Sequence, residues 1–177
     1  AKTNPNLNYT SSGTGSFGHV SMELLKQVAG FNMQHVPYKG STPAITDTIG
    51  GQVSVMYADL VAALPHIKAG KLRAIAVGSA KRVDVLPQVK TVAEQGFKDY
   101  VAESWGGLVA PLSTPKAVID RLSSELKLIL AEPATRTKMA GAGAYANYMA
   151  PAVFGQRIAH DFDKWGQVIR DKRIAAD

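Results

Sequence analysis

The sequence contains no cysteine, and no apolar run in it approaches the roughly 20 positions that a membrane-spanning helix needs. The lack of cysteine excludes disulfides, but it suits an exported protein as well as a cytosolic one. No signal peptide is visible, and the chain starts at Ala1. With 46% hydrophobic and 19% charged residues among 177, the composition predicts a soluble globular protein of one domain or two small lobes.

Acidic residues are in the minority, with 14 Asp and Glu against 20 Lys and Arg, which gives a net charge of +6. Nucleic-acid binding requires basic residues gathered on one face of the protein. Here they are spread along the chain, and the densest clusters, at 68–73, 81–82 and 170–173, are short and lack interleaved aromatic residues. We therefore expect no nucleic-acid partner. A basic balance suits a small anionic ligand equally well.

Short apolar segments alternate with amphipathic ones through the first 78 residues. The pattern predicts four strands, at 7–10, 33–36, 53–57 and 72–77. Between them it predicts three helices, at 16–29, 41–49 and 60–68. The second helix is expected to be capped by a hydroxyl of Ser41 or Thr42, and the third to be interrupted near Pro65. Such alternation indicates βαβ units and a mainly parallel sheet.

The pattern changes beyond residue 78. Residues 79–98 are polar and rich in turn formers, with one short helix predicted at 92–95, and extended segments at 100–104 and 106–110 flank Trp105. Three helices are predicted at 116–131, 134–142 and 152–170, and the last carries an apolar stripe typical of a helix that covers a sheet. We predict two parts: residues 1–103, an α/β lobe, and residues 104–177, a strand with helices that supplies too few strands for a sheet of its own.

The segment 9–40 is the most informative part of the chain. A strand enters a Gly/Ser/Thr loop that leads directly into a helix, whose first N–H groups lack intrahelical partners and carry the positive end of the helix dipole. This arrangement is suited to an anion, although an ordinary glycine-rich turn has the same pattern. The predicted ligand-binding residues are those of the loop and of nearby strand and helix ends: Ser11, Ser12, Gly13, Thr14, Gly15, Ser16, His19, Tyr38, Lys39 and Asp59.

Three of these side chains have a second interpretation. His19 is either a further donor to the anion or a histidine that packs the helix. Lys39 is either a ligand contact or a solvated turn charge. Asp59 either orients a ligand hydroxyl through water or caps the helix that follows it.

Catalytic and metal-binding motifs are weak. The G-x-G-x-x-G match at 13–18 lacks the acidic residue that a dinucleotide site expects after the next strand, which ends His35–Lys39 in the sequence HVPYK. The serine of this loop lacks the glycine two positions before it that a nucleophile elbow requires. The four histidines show no metal-site spacing. A nucleotide-cofactor enzyme therefore stays a minor alternative, and we expect no catalytic residue, metal or cofactor.

Several long motifs resemble those of one family. SSGTGSFGH, HVPYKGSTPAITDTIGGQVSVMY, ALPHIKAGKLRAIAVGSAKR, LPQVKTVAEQGF and WGGLVAPLSTP occur in the order found in the substrate-binding proteins of tripartite tricarboxylate transporters, the Bug receptors. The resemblance runs over nearly all of the chain. It implies a periplasmic protein with a type II solute-binding α/β fold, which captures a small carboxylate and delivers it to membrane transporter subunits without catalysis. The effector domain of a transcription regulator is the alternative that shares this architecture.

The chain also departs from the family pattern. Family members begin with a signal peptide and the first half of lobe one, so the resemblance predicts an N-terminally truncated chain. It would hold one complete parallel-sheet lobe plus the C-terminal, mainly helical part of the other. We then expect weak ligand binding, and either self-association through the C-terminal segment or loose packing of it. Ala58 replaces an acid found in many relatives, which favours a plain carboxylate over an amino acid.

Overall fold

The computed structural model describes residues 7–175, which form a small parallel sheet and six α-helices. This mixed α/β architecture confirms the predicted fold class. Three strands and three helices alternate first, followed by a 3₁₀ turn at Ala93–Gln95 and three further helices. In chain order the elements are β1 Asn8–Ser11, α1 Phe17–Ala29, β2 Gln34–Pro37, α2 Ser41–Ile49, β3 Val55–Met56, α3 Leu60–Lys68, α4 Lys116–Ala131, α5 Pro133–Gly141 and α6 Pro151–Asp171.

The sheet has the strand order β2-β1-β3, and both pairings are parallel. The central strand is the most buried, since Tyr9, Thr10 and Ser11 are fully inaccessible. Tyr9 pairs with His35 on one side and with Val55 on the other. Because the three strands run in the same direction, their carboxyl ends and the loops that follow lie along one edge of the sheet.

The predicted fourth strand at 72–77 is wrong. Within residues 7–175 this segment forms only an isolated bridge between Val77 and Thr91. A strand requires a neighbour with a matching row of N–H and C=O groups, and β3, at two residues, is shorter than the predicted 53–57. Ala74 and Val77 instead pack against the buried cluster of Leu64, Leu86 and Val89.

The extended segment at 106–110 also forms no strand in the described part of the chain. Its Leu108 and Val109 are largely exposed, since no described strand lies beside them for pairing. At the start of α2 the predicted hydroxyl cap is absent, because Gly40 occupies the cap position and Ser41 is already helical. Helix α3 continues through Pro65. The carbonyl that loses its donor there belongs to Val61, whose exposure lets water replace the missing hydrogen bond.

The chain divides into two compact units. Among the described residues, one comprises 7–104 and 164–175, and the other is Trp105–Asp163. In the second unit the Trp105 indole N–H donates to Asp161 at 2.6 Å and its ring contacts Phe154 edge-on. Helices α4 and α5 bury none of their residues. Apolar side chains of this unit are exposed at many positions, including Leu108, Val109, Leu112, Val118, Leu122, Leu128, Ile129, Val153, Ile158 and Phe162.

Among residues 7–175, no helix combines the length and the hydropathy required to cross a membrane.

Candidate functional site

Three loops meet at the carboxyl edge of the sheet. Residues 12–16 follow β1, residues 38–40 follow β2 and residues 57–59 follow β3. The first two loops are joined by a hydrogen bond from the Gly40 N–H to the Ser12 carbonyl at 3.0 Å. Eight of the ten predicted ligand-binding residues belong to these loops, and Ser11 and His19 lie immediately beside the first of them. The parallel register of the strands therefore brings together residues from three separate segments.

The 12–16 loop requires glycine at two positions. Gly13 and Gly15 have φ angles of 143° and 74°, which side-chain-bearing residues rarely adopt. A Cβ atom on Gly13 would also lie 3.2 Å from the Tyr38 carbonyl oxygen, so the loop passes close to the end of β2. The Ser16 N–H donates to the Gly13 carbonyl at 3.2 Å and closes the turn. These contacts leave Gly15 exposed at the surface of the edge.

Helix α1 begins at this loop and presents its positive end to the edge. Ser16 is the N-cap, and its hydroxyl oxygen accepts from the His19 N–H. The N–H groups of Phe17 and Gly18, in the first turn, have no intrahelical acceptor. The first turn of α1 contains no acidic residue that would neutralise the dipole, whereas Lys26 balances the opposite end. The start of α1 is thus electrostatically suited to an anion.

Two predicted residues lie under the loop rather than on it. Ser11 is fully buried, and its hydroxyl contacts the Gly13 backbone and His35 Nε2, the latter at 2.8 Å. His19 is only 8% exposed, and its Nδ1 accepts a hydrogen bond from the Gly15 N–H at 3.1 Å. Burial lowers the pKa of His19, which keeps the ring neutral. His19 therefore accepts from the loop in this structure, and whether it also contacts a ligand stays a prediction.

His35 was missed by the sequence analysis. Its ring stacks on that of His19 with the centroids 3.9 Å apart, and burial together with His19 lowers the pKa of His35 to about 4. The Ser11–His35 pair has the spacing of a nucleophile and its base. Because Ser11 is fully buried, no substrate reaches its hydroxyl, and the pair is structural. The only signal in the sequence was that His35 precedes the end of β2.

The second and third loops contribute Tyr38, Lys39 and Asp59. The Tyr38 hydroxyl donates to Asp47 of α2 at 2.6 Å, and this hydrogen bond raises the pKa of Tyr38. Lys39 is exposed. Asp59 is the N-cap residue of α3, but its carboxylate makes no capping hydrogen bond and instead accepts from the Ser104 hydroxyl at 3.4 Å. The carboxylate is therefore exposed at the edge and makes no hydrogen bond to the first N–H groups of α3.

The close approach of α1 to the loop that follows β3 gives a direct test of this geometry. A Cβ atom on Gly18 would lie 2.5 Å from the Tyr57 carbonyl oxygen, so Gly18→Ala requires one backbone to move. We expect a loss of about 2–3 kcal/mol in the free energy of unfolding, measured by urea denaturation. Gly166→Ala is the control, since its added methyl meets only the flexible Arg170 side chain. Equal denaturation midpoints for both variants would contradict the packing described.

A cavity of about 700 Å³ lies elsewhere in the chain, away from the three loops. It is lined by Ile67, Gly70, Leu72, Arg73, Ala74, Ile75, Gln88, Val89, Lys90 and Gln95. None of these residues belongs to the three loops at the carboxyl edge of the sheet, where α/β folds bind their ligands, so we keep the loops as the candidate site. Among residues 7–175, no group of three or more His, Cys, Asp or Glu side chains is arranged to hold a metal ion.

A parallel sheet whose strand ends carry hydroxyls, backbone N–H groups and the start of a helix is the arrangement at which α/β proteins commonly bind ligands. Comparison with known proteins identifies the family. The family model described as "Tripartite tricarboxylate transporter family receptor" matches residues 1–174, so the chain belongs to this family. The homologues are substrate-binding receptors and not enzymes.

Individual relatives agree. Protein BugT of Bordetella pertussis is 34% identical over 157 residues, covering 89% of this chain and 48% of BugT. The structure of Rpa4515 of Rhodopseudomonas palustris with adipate superimposes with a TM-score of 0.90 at 32% identity, covering 100% of this chain and 60% of the other. MatC from the same organism, with bound malate, gives a TM-score of 0.78 at 29% identity, covering 93% and 57%. The chain spans about half the length of the first curated relatives it matches.

Proposed function

We propose that this chain is the ligand-holding part of a periplasmic receptor that binds a small carboxylate for a tripartite tricarboxylate-type transporter. The observation that carries the proposal is the 12–16 loop, where hydroxyls, positive-φ glycines and the start of α1 meet at the carboxyl edge of a parallel sheet. Membership of the receptor family supports it, as do relatives with bound adipate and malate. Delivery to membrane subunits and periplasmic location are part of this proposal.

In the proposed complex one ligand carboxylate lies against the 12–16 loop. The hydroxyls of Ser12, Thr14 and Ser16 and the N–H groups of Thr14 and Phe17 are its donors, because the Gly15 N–H is already bonded to His19. Charge-assisted hydrogen bonds of this kind contribute roughly 1.5–3 kcal/mol each. Tyr38, Lys39 and Asp59 are then positioned to contact the remainder of the ligand. Ala58, in the third loop, offers no carboxylate to a ligand ammonium group, which favours a plain carboxylate over an amino acid.

We further propose that residues 1–103 correspond to a complete lobe of the family fold and 104–177 to the C-terminal part of the other. In that arrangement one wall of the cleft is absent from the 177-residue chain, so water is not excluded from the ligand. Binding is then weak even if the lobe itself is well folded.

A thermal-shift screen with adipate, malate, benzoate, glutamate and NAD tests the proposal. We expect adipate or malate to raise the melting temperature by a few degrees at concentrations well above the dissociation constant, since a ligand that binds only the folded state stabilises it. Glutamate is expected to give a smaller shift than adipate or malate, because position 58 offers no carboxylate to its ammonium group. NAD is expected to give no shift, because no acid follows β2 to hold a ribose. Stabilisation by NAD and by no carboxylate would favour a nucleotide-cofactor protein and contradict the proposal.

Self-association through the C-terminal segment stays a prediction, supported by the exposed apolar side chains of the second unit. Phe162 is 77% exposed, and Phe162→Glu is expected to shift the mass from light scattering towards the 18.8 kDa of one chain. Gln156→Glu adds the same charge to the same helix without removing apolar surface, and it serves as the control. A parent chain that is monomeric, with residues 104–177 strongly protected from hydrogen exchange, would contradict the prediction.

A further inference from the structure

Two stacked histidines lie next to the 12–16 loop, one on α1 and the other on β2. The ring centroids of His19 and His35 are 3.9 Å apart, with 18° between the ring planes. On β1, the ring of Tyr9 stacks on His35 at 4.8 Å. The pair therefore joins the three elements from which the first two loops of the site emerge. A ligand role for His35 was not expected from the sequence, and the contacts of His19 differ from the donor role considered for it.

Each histidine holds one glycine of the loop. His19 Nδ1 accepts directly from the Gly15 N–H at 3.1 Å. His35 acts through Ser11: its Nε2 lies 2.8 Å from the Ser11 hydroxyl oxygen, which accepts from the Gly13 N–H at 3.3 Å and lies 3.0 Å from the Gly13 carbonyl oxygen. Gly13 and Gly15 are the two positions of this loop with positive φ. The histidine pair thus holds the loop at the two residues with positive φ angles.

The Gly15 contact sets the protonation of His19. A backbone N–H can only donate, so Nδ1 must carry a lone pair and the ring proton resides on Nε2. The charged groups facing the pair are Glu23 and Lys26, and the Glu23 carboxylate also accepts from the Tyr9 hydroxyl at 2.7 Å. Burial lowers the pKa of both histidines, Lys26 lowers it further, and Glu23 opposes the change. Both rings are neutral near pH 7.

We infer that His19 and His35 are positioning residues for the ligand carboxylate, holding Gly15 and Gly13 so that the remaining donors of the 12–16 loop converge on the anion. The inference rests on the proposed function. It assigns the histidines an indirect role: their neutral rings shape the loop, and the loop binds the ligand. A direct role, in which a charged His19 pairs with the carboxylate, requires the opposite protonation state.

The two roles differ in the sign of the pH dependence. If His19 positions the loop, a proton on Nδ1 removes the acceptor of the Gly15 N–H, and binding weakens as the pH falls through the pKa of His19, which burial lowers from the ordinary histidine value of about 6.5. If His19 pairs directly with the anion, the same proton adds a favourable charge, and binding strengthens over that range.

NMR titration of the 177-residue chain with adipate at about pH 7.5 and about pH 5.5 separates the two roles. His19→Asn places an amide oxygen near the Nδ1 position and does not titrate, whereas His19→Leu has no acceptor. We expect H19N to bind within about threefold of the parent at the higher pH and H19L at least about tenfold more weakly. On acidification the parent is expected to weaken more than H19N. This comparison removes the effect of adipate's own protonation.

Two readouts need no ligand. The ¹⁵N spectrum of the His19 ring is expected to show the Nε2–H tautomer. The Gly15 amide is expected to be protected from exchange in the parent and in H19N but not in H19L. An H19L variant that binds adipate and protects Gly15 as the parent does would overturn the inference, as would parent binding that strengthens relative to H19N at low pH. If no form binds adipate but both ligand-free results hold, the histidines position the loop and the proposed carboxylate function fails instead.

Discussion

Replacing Gly15 by valine is expected to abolish detectable carboxylate binding, with a loss of affinity of about 100-fold or more. Gly15 has a φ of 74°, and a β-branched residue is strained there, so the loop must change its course. The change displaces the loop hydroxyls and the N–H groups beside them, which the ligand carboxylate would contact. An NMR titration with adipate measures the effect, because it remains quantitative for weak binding.

Gly70→Val is the matched control. Gly70 has a φ of 69°, so valine is strained there to a similar degree, but no atom lies within 4 Å of the added Cβ. The two variants should therefore lose comparable stability, and only Gly15→Val should lose binding. Gly70 also lines the 700 Å³ cavity, so weaker binding in Gly70→Val alone would place the ligand there. Lys127→Ala, on α4, is expected to bind like the parent. If Gly15→Val also binds like the parent, the assignment of the loop is wrong.

The free energy of unfolding is expected to fall by about 2–3 kcal/mol between pH 6.5 and pH 4.5 because of His35 alone. His35 has a pKa of about 4 in the folded chain, lowered from 6.5 by burial and by the adjacent His19. Below pH 6.5 His35 therefore takes up a proton in the unfolded chain but stays neutral in the folded chain. Stability is lost as the pH falls towards 4. Above pH 6.5 both states are neutral and the full stability is present.

Urea denaturation of the parent and of His35→Gln across this range isolates the contribution. Glutamine supplies a polar group near Nε2 for Ser11 but does not titrate, so H35Q should lose less stability on acidification than the parent. Carboxylates that titrate in the same range affect both proteins alike, and the difference between the two profiles reports His35 together with its coupling to the stacked His19. Parallel pH profiles for the two proteins would mean that His35 is not buried as described.

Local pattern was sufficient to predict the helices. The bounds predicted for α2, α3 and α4 agree with the structure, and α1 starts one residue later than predicted, because apolar spacing and a terminal glycine or proline are encoded within each segment. Strands were predicted less well, since a strand exists only with a partner. The 72–77 segment has a strand-like composition, but its Ala74 and Val77 pack on Leu64 and Leu86, and within residues 7–175 its backbone forms a single isolated bridge, opposite Thr91, instead of a strand ladder.

The same distinction holds for the candidate site. The 12–16 loop was recognisable because its glycines and hydroxyls are contiguous in the sequence. The position of His35 depends on the pairing of β1 with β2, which sets Tyr9 opposite it, and on the packing of α1, which brings His19 onto its ring. Neither distance is encoded in local sequence. The hydrogen bond from the Gly15 N–H to His19 Nδ1 could likewise not be predicted from the sequence.

Mapping where a carboxylate binds is the most direct test of the proposed site. In an NMR titration of the ¹⁵N-labelled chain with adipate, we expect saturable shifts concentrated on residues 12–17, with smaller ones at 38–40 and 57–59. Saturable shifts confined to the cavity lined by Arg73 and Lys90, or no saturable shift with either adipate or malate, would contradict the claim that the loops at the carboxyl edge of the sheet bind a carboxylate.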